Sequence, residues 1–340
     1  MRASFSEVTA ARPATGGLSA LVAAGVLWGT GGPLGSLLGR ATGLSMLAVA
    51  DYRLLVGGAA IISVLAAARR GLPRGTAAWR RICLVGLLSA VFQSAYFTAI
   101  ALTSVSLATL ITIGATPVLV LVTEVRTGSQ RVTGRVLVTV LLALAGLGLL
   151  TGIPPGRIGL VQVLAGSAAA LVSAAGFAAV TLLGARPVDG LDELTMTGTG
   201  FAIGGALLAP FAVLSGGLGF APAPAALGLV LALGLVPTAA AYLLYFRALR
   251  DASAGTAAVL SLIEPLTATV LAVLFLGERV NAATIGGGVL LTAAVLLASA
   301  SERDRHRRIR QPGQERAVIR TAARACCRAP GTGRRRRPAG

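Results

Sequence analysis

Two residues of this chain carry charge where charge is expensive. Glu264 stands in "SLIEPLTATVLAVLFLGERV" (261–280) and Arg53 in "DYRLLVGG" (51–58), and both lie inside long apolar runs. A charged side chain at a bilayer centre costs roughly 2.5–3.5 kcal/mol on insertion scales, so such a residue usually marks a site. Glu264 falls about ten residues into its run, roughly 15 Å deep at 1.5 Å per residue. It can contact substrate, take up a proton, or act as a structural carboxylate bonded to a neighbouring helix. Pro265 beside it has no N–H and loosens the helix ladder. Broken helices near the midplane are typical substrate and ion sites. Arg53 can meet a substrate carboxylate, snorkel to brace a loop, or hold a fixed ion pair. Asp51 lies two residues away, and such residues do not share a helix face, so both are expected to find other partners.

The remaining polar candidates are few. Aromatic residues make up only 4% of the chain, which singles out Trp28, Tyr96, Tyr242 and Tyr245 within apolar runs. Gln93 lies one turn from Tyr96. Buried Trp and Tyr want a partner for their polar atom; a ligand can supply it, or the rings can simply pack and anchor at the membrane interface. Glu124 and Glu278 sit near the ends of runs, can reach water, and read as structural.

Other chemistries lack their residues. Cys83, Cys326 and Cys327 give no metal spacing and no disulfide framework, and His306 is the single histidine. No His-Glu-x-x-His and no Gly-x-Ser-x-Gly elbow occurs. "GTGGPLGS" has no Gly-Lys-Ser/Thr after it, so it is no phosphate loop. Neither an enzyme, nor a cofactor, nor a metal site is expected.

The elements that must position Glu264 and Arg53 are membrane helices. The chain has 340 residues, 55% apolar and 12% charged, against about 25% charged in soluble domains. About 20 apolar residues at 1.5 Å rise cross a hydrocarbon core of roughly 30 Å. Ten such spans are expected: 18–38, 44–66, 82–101, 105–123, 133–153, 158–183, 194–215, 226–246, 254–276 and 281–300. The chain is therefore an all-α integral membrane protein. With the N-terminus inside, 11 loop arginines fall on the cytoplasmic side and three outside; this bias predicts both termini in the cytoplasm and a multi-pass protein of the cell membrane. Residues 1–17 form a cytoplasmic segment. Residues 301–340 hold 13 of the 30 arginines and read as a disordered cytoplasmic tail suited to anionic lipid. No aromatics interleave with those arginines, so nucleic acid is not expected as a partner.

The chain also repeats. Shifted by 148, "SQRV" (129–132) meets "GERV" (277–280) and Pro117 meets Pro265; shifted by 147, "LAVADYRLLVGG" (47–58) meets "LTMTGTGFAIGG" (194–205). Five spans is an odd number, so the copy over 154–300 enters the membrane from the face opposite to that over 18–153. Inverted repeats are a hallmark of secondary transporters. The repeat partner of Glu264-Pro265 is Thr116-Pro117, which keeps a hydrogen-bonding group and loses the charge. Both prolines are expected to break their helices, and one acidic wall favours a cation or ammonium group. Gly25-x-x-x-Gly29 and Gly200-x-x-x-Gly204 are expected at close helix crossings.

In this order "LWGTGG", "DYRLLVGG", "AYFTAIALTSVSLATLITIGATPVLV" and "YLLYFRALRDASAGTAAVLSLIEPLTATVLAVLFLGERV" resemble the EamA-type members of the drug/metabolite transporter superfamily, over roughly residues 18–300. The resemblance implies ten helices in two inverted five-helix EamA-like repeats. With the inverted repeats it implies a secondary transporter, most readily an exporter, of small metabolites by alternating access, and an acidic cavity with Arg53 nearby fits amino acids or amines. Multidrug or organic-cation efflux is one alternative, and a membrane sensor or scaffold without transport is another. The small-molecule substrate is the main partner, and a homodimer is compatible with the sequence. The family commonly ends both half-repeats with Gly-Glu; here the second keeps Gly277-Glu278, while the first reads Ser129-Gln130.

Overall fold

The computed structural model describes residues 14–151, 159–276 and 281–310. Within them the chain is a succession of helices, as backbone groups in lipid require. These are α1 (Ala14–Gly29), α2 (Gly31–Thr42), α3 (Met46–Ala67), α4 (Thr76–Leu102), α5 (Val105–Arg126), α6 (Gly134–Thr151) and α7 (Leu160–Gly184). There follow α8 (Glu193–Leu214), α9 (Pro224–Gly234), a π turn (Leu235–Ala240), α10 (Ala241–Ala248), α11 (Ala254–Leu260), α12 (Ile263–Leu276) and α13 (Ala282–Arg310). Among the described residues nine stretches are long and apolar enough to cross a membrane, and α6 adds a shorter one, apolar over Gly134–Leu150. Large apolar side chains such as Leu141, Leu164, Leu274 and Leu296 face outward, as a lipid-embedded surface demands.

Local chemistry sets where the helices begin. Ser45, Ser104 and Ser253 accept the backbone N–H three residues on, and Asp192 and Asn281 do the same for Thr195 and Thr284. Each such cap contributes about 1 kcal/mol. Gly43, at φ 74°, ends α2 in the left-handed conformation that glycine tolerates.

The helices pack in pairs that exchange when the two halves are exchanged. First-repeat α4 packs along second-repeat α7, and α10 packs along α1. Likewise α5 lies on α7, and α12 lies on α1. The contacts α3 with α8 and α6 with α13 map onto themselves. That is the pattern of two repeats related by a two-fold axis in the membrane plane. Glycine makes the self-paired crossings close: a Cβ on Gly58 would stand 2.6 Å from the Ala202 nitrogen, and one on Gly287 2.6 Å from the Leu150 nitrogen. The two expected glycine pairs lie at crossings too. Gly25 and Gly29 press on Ile263 and Thr267, and Gly200 and Gly204 press on α4 at Val85 and Gly86.

Among the described residues three spans are interrupted: the first at Thr30, the eighth at the π turn, and the ninth at Ser261–Leu262. Pro117 is a correction, since α5 runs through it unbroken. The Thr116 hydroxyl bonds back to the Thr112 carbonyl at 2.7 Å, and α5 lies along the uninterrupted α7, so one missing ladder bond does not open the helix. At Pro265 the result differs: the Ser261 carbonyl that proline cannot reach is taken by the Glu264 N–H at 3.0 Å, which tightens the turn and separates α11 from α12. The last helix is longer than expected. It continues to Arg310, ten residues into the segment read as disordered tail, and Glu302 is buried there. Glu278, the N-terminal residues 1–13 and the tail beyond 310 lie outside the described residues.

Among the described residues most arginine-bearing loops gather at one end, and Arg40 lies at the other. Arg70 pairs with Asp192 at 3.7 Å and Arg135 with Asp304 at 2.8 Å, Arg250 pairs with Glu193, and Arg81 donates to the carbonyls of Leu183 and Arg186. The opposite end is held by neutral contacts, Ser45 to Ser215 at 2.9 Å and the Tyr52 hydroxyl to the Leu218 carbonyl at 2.7 Å.

Candidate functional site

Helices flanking the interruptions of the first, eighth and ninth spans line one central cavity. Trp28 comes from the end of α1, Arg53 from α3, Tyr242 from α10, and Ser261 and Glu264 from the break in the ninth span. The uninterrupted helices supply the facing wall: Phe92, Gln93 and Tyr96 on α4, Thr112 and Ile113 on α5, and Phe177 on α7. Six expected site residues, Glu264, Arg53, Trp28, Gln93, Tyr96 and Tyr242, are thus brought together. The free volume is about 60 Å³, enough for a few water molecules. Drug-sized ligand pockets run to several hundred Å³, so the cavity as it stands is too small for a ligand of that size.

Charge in this cavity is held apart. Among the described residues Glu264 forms no ion pair with Arg53. The Arg53 Nε donates to the Thr238 hydroxyl at 3.3 Å. That hydroxyl donates in turn to the Leu233 carbonyl at 2.8 Å, the carbonyl that Pro237 leaves without its ladder partner. The π turn therefore does two things: it absorbs Pro237, and it anchors one edge of the arginine fork. Among the described residues the Glu264 carboxylate and the two terminal nitrogens of Arg53 make no hydrogen bond.

The aromatic walls are mutually braced. Trp28 meets Tyr242 and Tyr245 at centroid separations of 4.9 Å each and Phe177 at 5.8 Å. The Tyr96 hydroxyl bonds Thr109 at 2.7 Å. Tyr245 stands behind the cavity, 1% exposed, with its hydroxyl on Thr181 at 2.9 Å. Thr116 is also absent from the lining; its hydroxyl stays within its own helix, and Thr112, one turn earlier, takes the place at the wall. Asp51 finds no partner among the described residues and is fully buried.

Glu124 belongs to a second cavity, at the arginine-rich end and also about 60 Å³, shared with Pro117, Gln130, Thr139, Ser253 and Thr256. The Glu124 carbonyl accepts the N–H groups of Ser129 and Gln130 at 2.8 and 3.1 Å, which folds Gln130 back beside it. A carboxylate is thus present where the first half-repeat lacks its Gly-Glu. Gly255 makes the approach feasible, since a Cβ there would stand 2.8 Å from the Glu124 Oε2. Next to it Glu302 accepts from Ser253 at 2.8 Å, Thr256 at 2.7 Å and Arg305 at 3.1 Å. A larger cleft, about 570 Å³, lies between α1 and α10 at this end, but small residues wall it, with Arg247 and Asp251 as its ionisable groups. The central cavity is the better site because aromatic walls and both signs of charge converge there.

Sequence reasoning missed Phe92, Thr112, Ile113, Phe177 and Ser261 on the lining, and Pro237-Thr238 behind Arg53. A signal existed for the last pair: "LVPTAA" (235–240) puts a proline inside a lipid-length run, as at 117 and 265. Phe177 stands alone in an alanine-rich run, and nothing in one sequence says which way it faces.

Comparison with known proteins agrees with this architecture. The chain matches the EamA-like transporter family twice, over residues 15–152 and 164–300. It is 32% identical over 287 residues to the uncharacterized transporter YwfM of Bacillus subtilis (strain 168), covering 84% of this chain and 94% of that one. An uncharacterized transporter of Archaeoglobus fulgidus is 28% identical over 289 residues, covering 83% and 96%. A crystal structure that is 21% identical superposes with a TM-score of 0.69, covering 83% of this chain and 98% of its own, and is similar in fold. The chain belongs to the EamA-like transporter family and is a multi-pass membrane protein.

Proposed function

We propose that this protein is a secondary transporter that exports small metabolites, amino acids or related amines, across the cytoplasmic membrane by alternating access. One observation carries the reading: Glu264 and Arg53 line the same aromatic-walled cavity without pairing to each other. An unpaired acid and an unpaired base in lipid-buried protein are costly to keep unless a ligand completes them. Alternating access follows from the repeats. Two similar halves can exchange conformations, opening the cavity first at the arginine-rich end and then at the other. The arginine bias supports a cytoplasmic position for the first of these and for both termini. Glu264 receives the cationic group of the substrate, or a proton when the substrate has left.

The test is counterflow in proteoliposomes with a panel of labelled amino acids and amines. Flux of at least one member that falls in Glu264→Gln supports the reading; flux of none, with folded protein, refutes it.

A further inference from the structure

Buried polar atoms normally find a partner, so those without one are informative. Among the described residues they are Trp28 Nε1, both oxygens of Asp51 and the Glu124 Oε2. Of these residues only Trp28 lines the central cavity. It is 4% exposed, and its indole nitrogen, covered by its neighbours in this conformation, has no acceptor. Its neighbours Phe177, Tyr242 and Tyr245 offer ring faces, which accept hydrogen bonds only weakly. An aromatic side chain without an N–H would leave no unsatisfied donor here, so the indole nitrogen needs a reason to be there.

The rest of the cavity supplies one. Arg53 commits its Nε to Thr238 and leaves its two terminal nitrogens without a hydrogen bond among the described residues. Gln93 adds an amide to the same lining. The wall therefore has donors in excess, with Glu264 as its single carboxylate. A simple amine would satisfy Glu264, leave the Trp28 N–H and the arginine fork unmatched, and add a second cation to a cavity that already holds one. A solute bearing both an ammonium and a carboxylate would match both sides. Resting on the transport reading above, we propose that Trp28 donates its indole N–H to the carboxylate of a zwitterionic substrate, beside Arg53, and so selects amino acids against the corresponding amines and against organic cations.

The experiment uses the full-length protein and pairs of probes: common L-amino acids, each with the amine formed by its decarboxylation. Binding is read by thermal stabilisation in detergent and transport by counterflow. The wild-type protein should take at least one amino acid while its amine is weaker by a factor of about ten or more, as expected for losing hydrogen bonds to a charged group. Trp28→Phe should weaken the amino acid by about tenfold more than it weakens the amine, and so narrow the gap. Benzothienylalanine at position 28 keeps the bicyclic shape and replaces N–H by sulfur; it should behave as Trp28→Phe does. Equal handling of acid and amine by the wild-type protein, or a gap that survives both replacements, overturns the proposal while leaving transport intact. A wild-type protein that carries amines alone also overturns it. If no probe is bound or carried, the amino-acid reading and this inference fall together.

Discussion

Arg53 and Thr238 lie 185 residues apart in sequence, on opposite repeats, and are joined by a 3.3 Å hydrogen bond at the edge of the central cavity. The bond ties the cavity's base to the π turn of the eighth span. Thr238→Val removes the acceptor for Arg53 and the donor for the Leu233 carbonyl while keeping the volume. Loss of a bond to a charged group should raise the KM for the transported solute about tenfold, and Thr238→Ser should restore most of it. A KM unchanged in Thr238→Val would show that Arg53 needs no such anchor.

Glu264 is the acid of the cavity. Glu264→Gln keeps shape and hydrogen bonding but removes the negative charge and the ability to carry a proton. Transport should fall roughly ten- to a hundredfold, and whatever pH dependence the wild-type rate shows should flatten. Rate and pH profile both unchanged in proteoliposomes would reduce Glu264 to a structural carboxylate.

The self-paired crossing of α6 and α13 gives a stability test. Gly287→Ala puts a Cβ 2.6 Å from the Leu150 nitrogen and 2.7 Å from the Gly146 carbonyl oxygen, where backbone has to move. Overpacking of this kind costs about 1–3 kcal/mol. Gly32→Ala, with open space around it, serves as the control and should lie close to wild type. Thermal midpoints in detergent that do not separate the two variants would contradict the crossing.

The architecture was legible because its cause is crude. Lipid forces helices of a fixed length, so span number follows from apolar runs, and the two offsets of 147 and 148 expose the repeat. Glu264 and Arg53 were legible because charge in oil is rare. What decides a proline's effect is not local: Pro117 and Pro265 follow similar patterns, yet α5 stays whole along α7 while the ninth span divides. The break of the first span at Thr30 stands three residues before Pro33, with glycines on either side, much as the break of the ninth stands before Pro265. The repeat offset points to Thr116 whereas Thr112 lines the cavity, a difference of one helical turn that an offset of 148 between diverged repeats cannot resolve.

At the arginine-rich end Ser253 caps α11 through the Thr256 N–H at 3.2 Å and donates to Glu302 at 2.8 Å. Ser253→Ala loses both and should destabilise the protein by about 1–2 kcal/mol. Ser253→Thr, which keeps the hydroxyl, should lose much less. Unfolding by denaturing detergent in mixed micelles distinguishes them; equal loss in both variants would point to sterics rather than the hydroxyl.

The central claim is that this cavity is the translocation site, reached from each side in turn. A Gln93→Cys variant, with Cys83, Cys326 and Cys327 replaced by serine, places one thiol on its wall. A membrane-impermeant thiol reagent, applied to one face of oriented vesicles and then to the other, should label position 93 from both faces, stop flux, and be slowed by substrate. A thiol that reacts from neither face, or reacts while flux continues unchanged, would contradict the account.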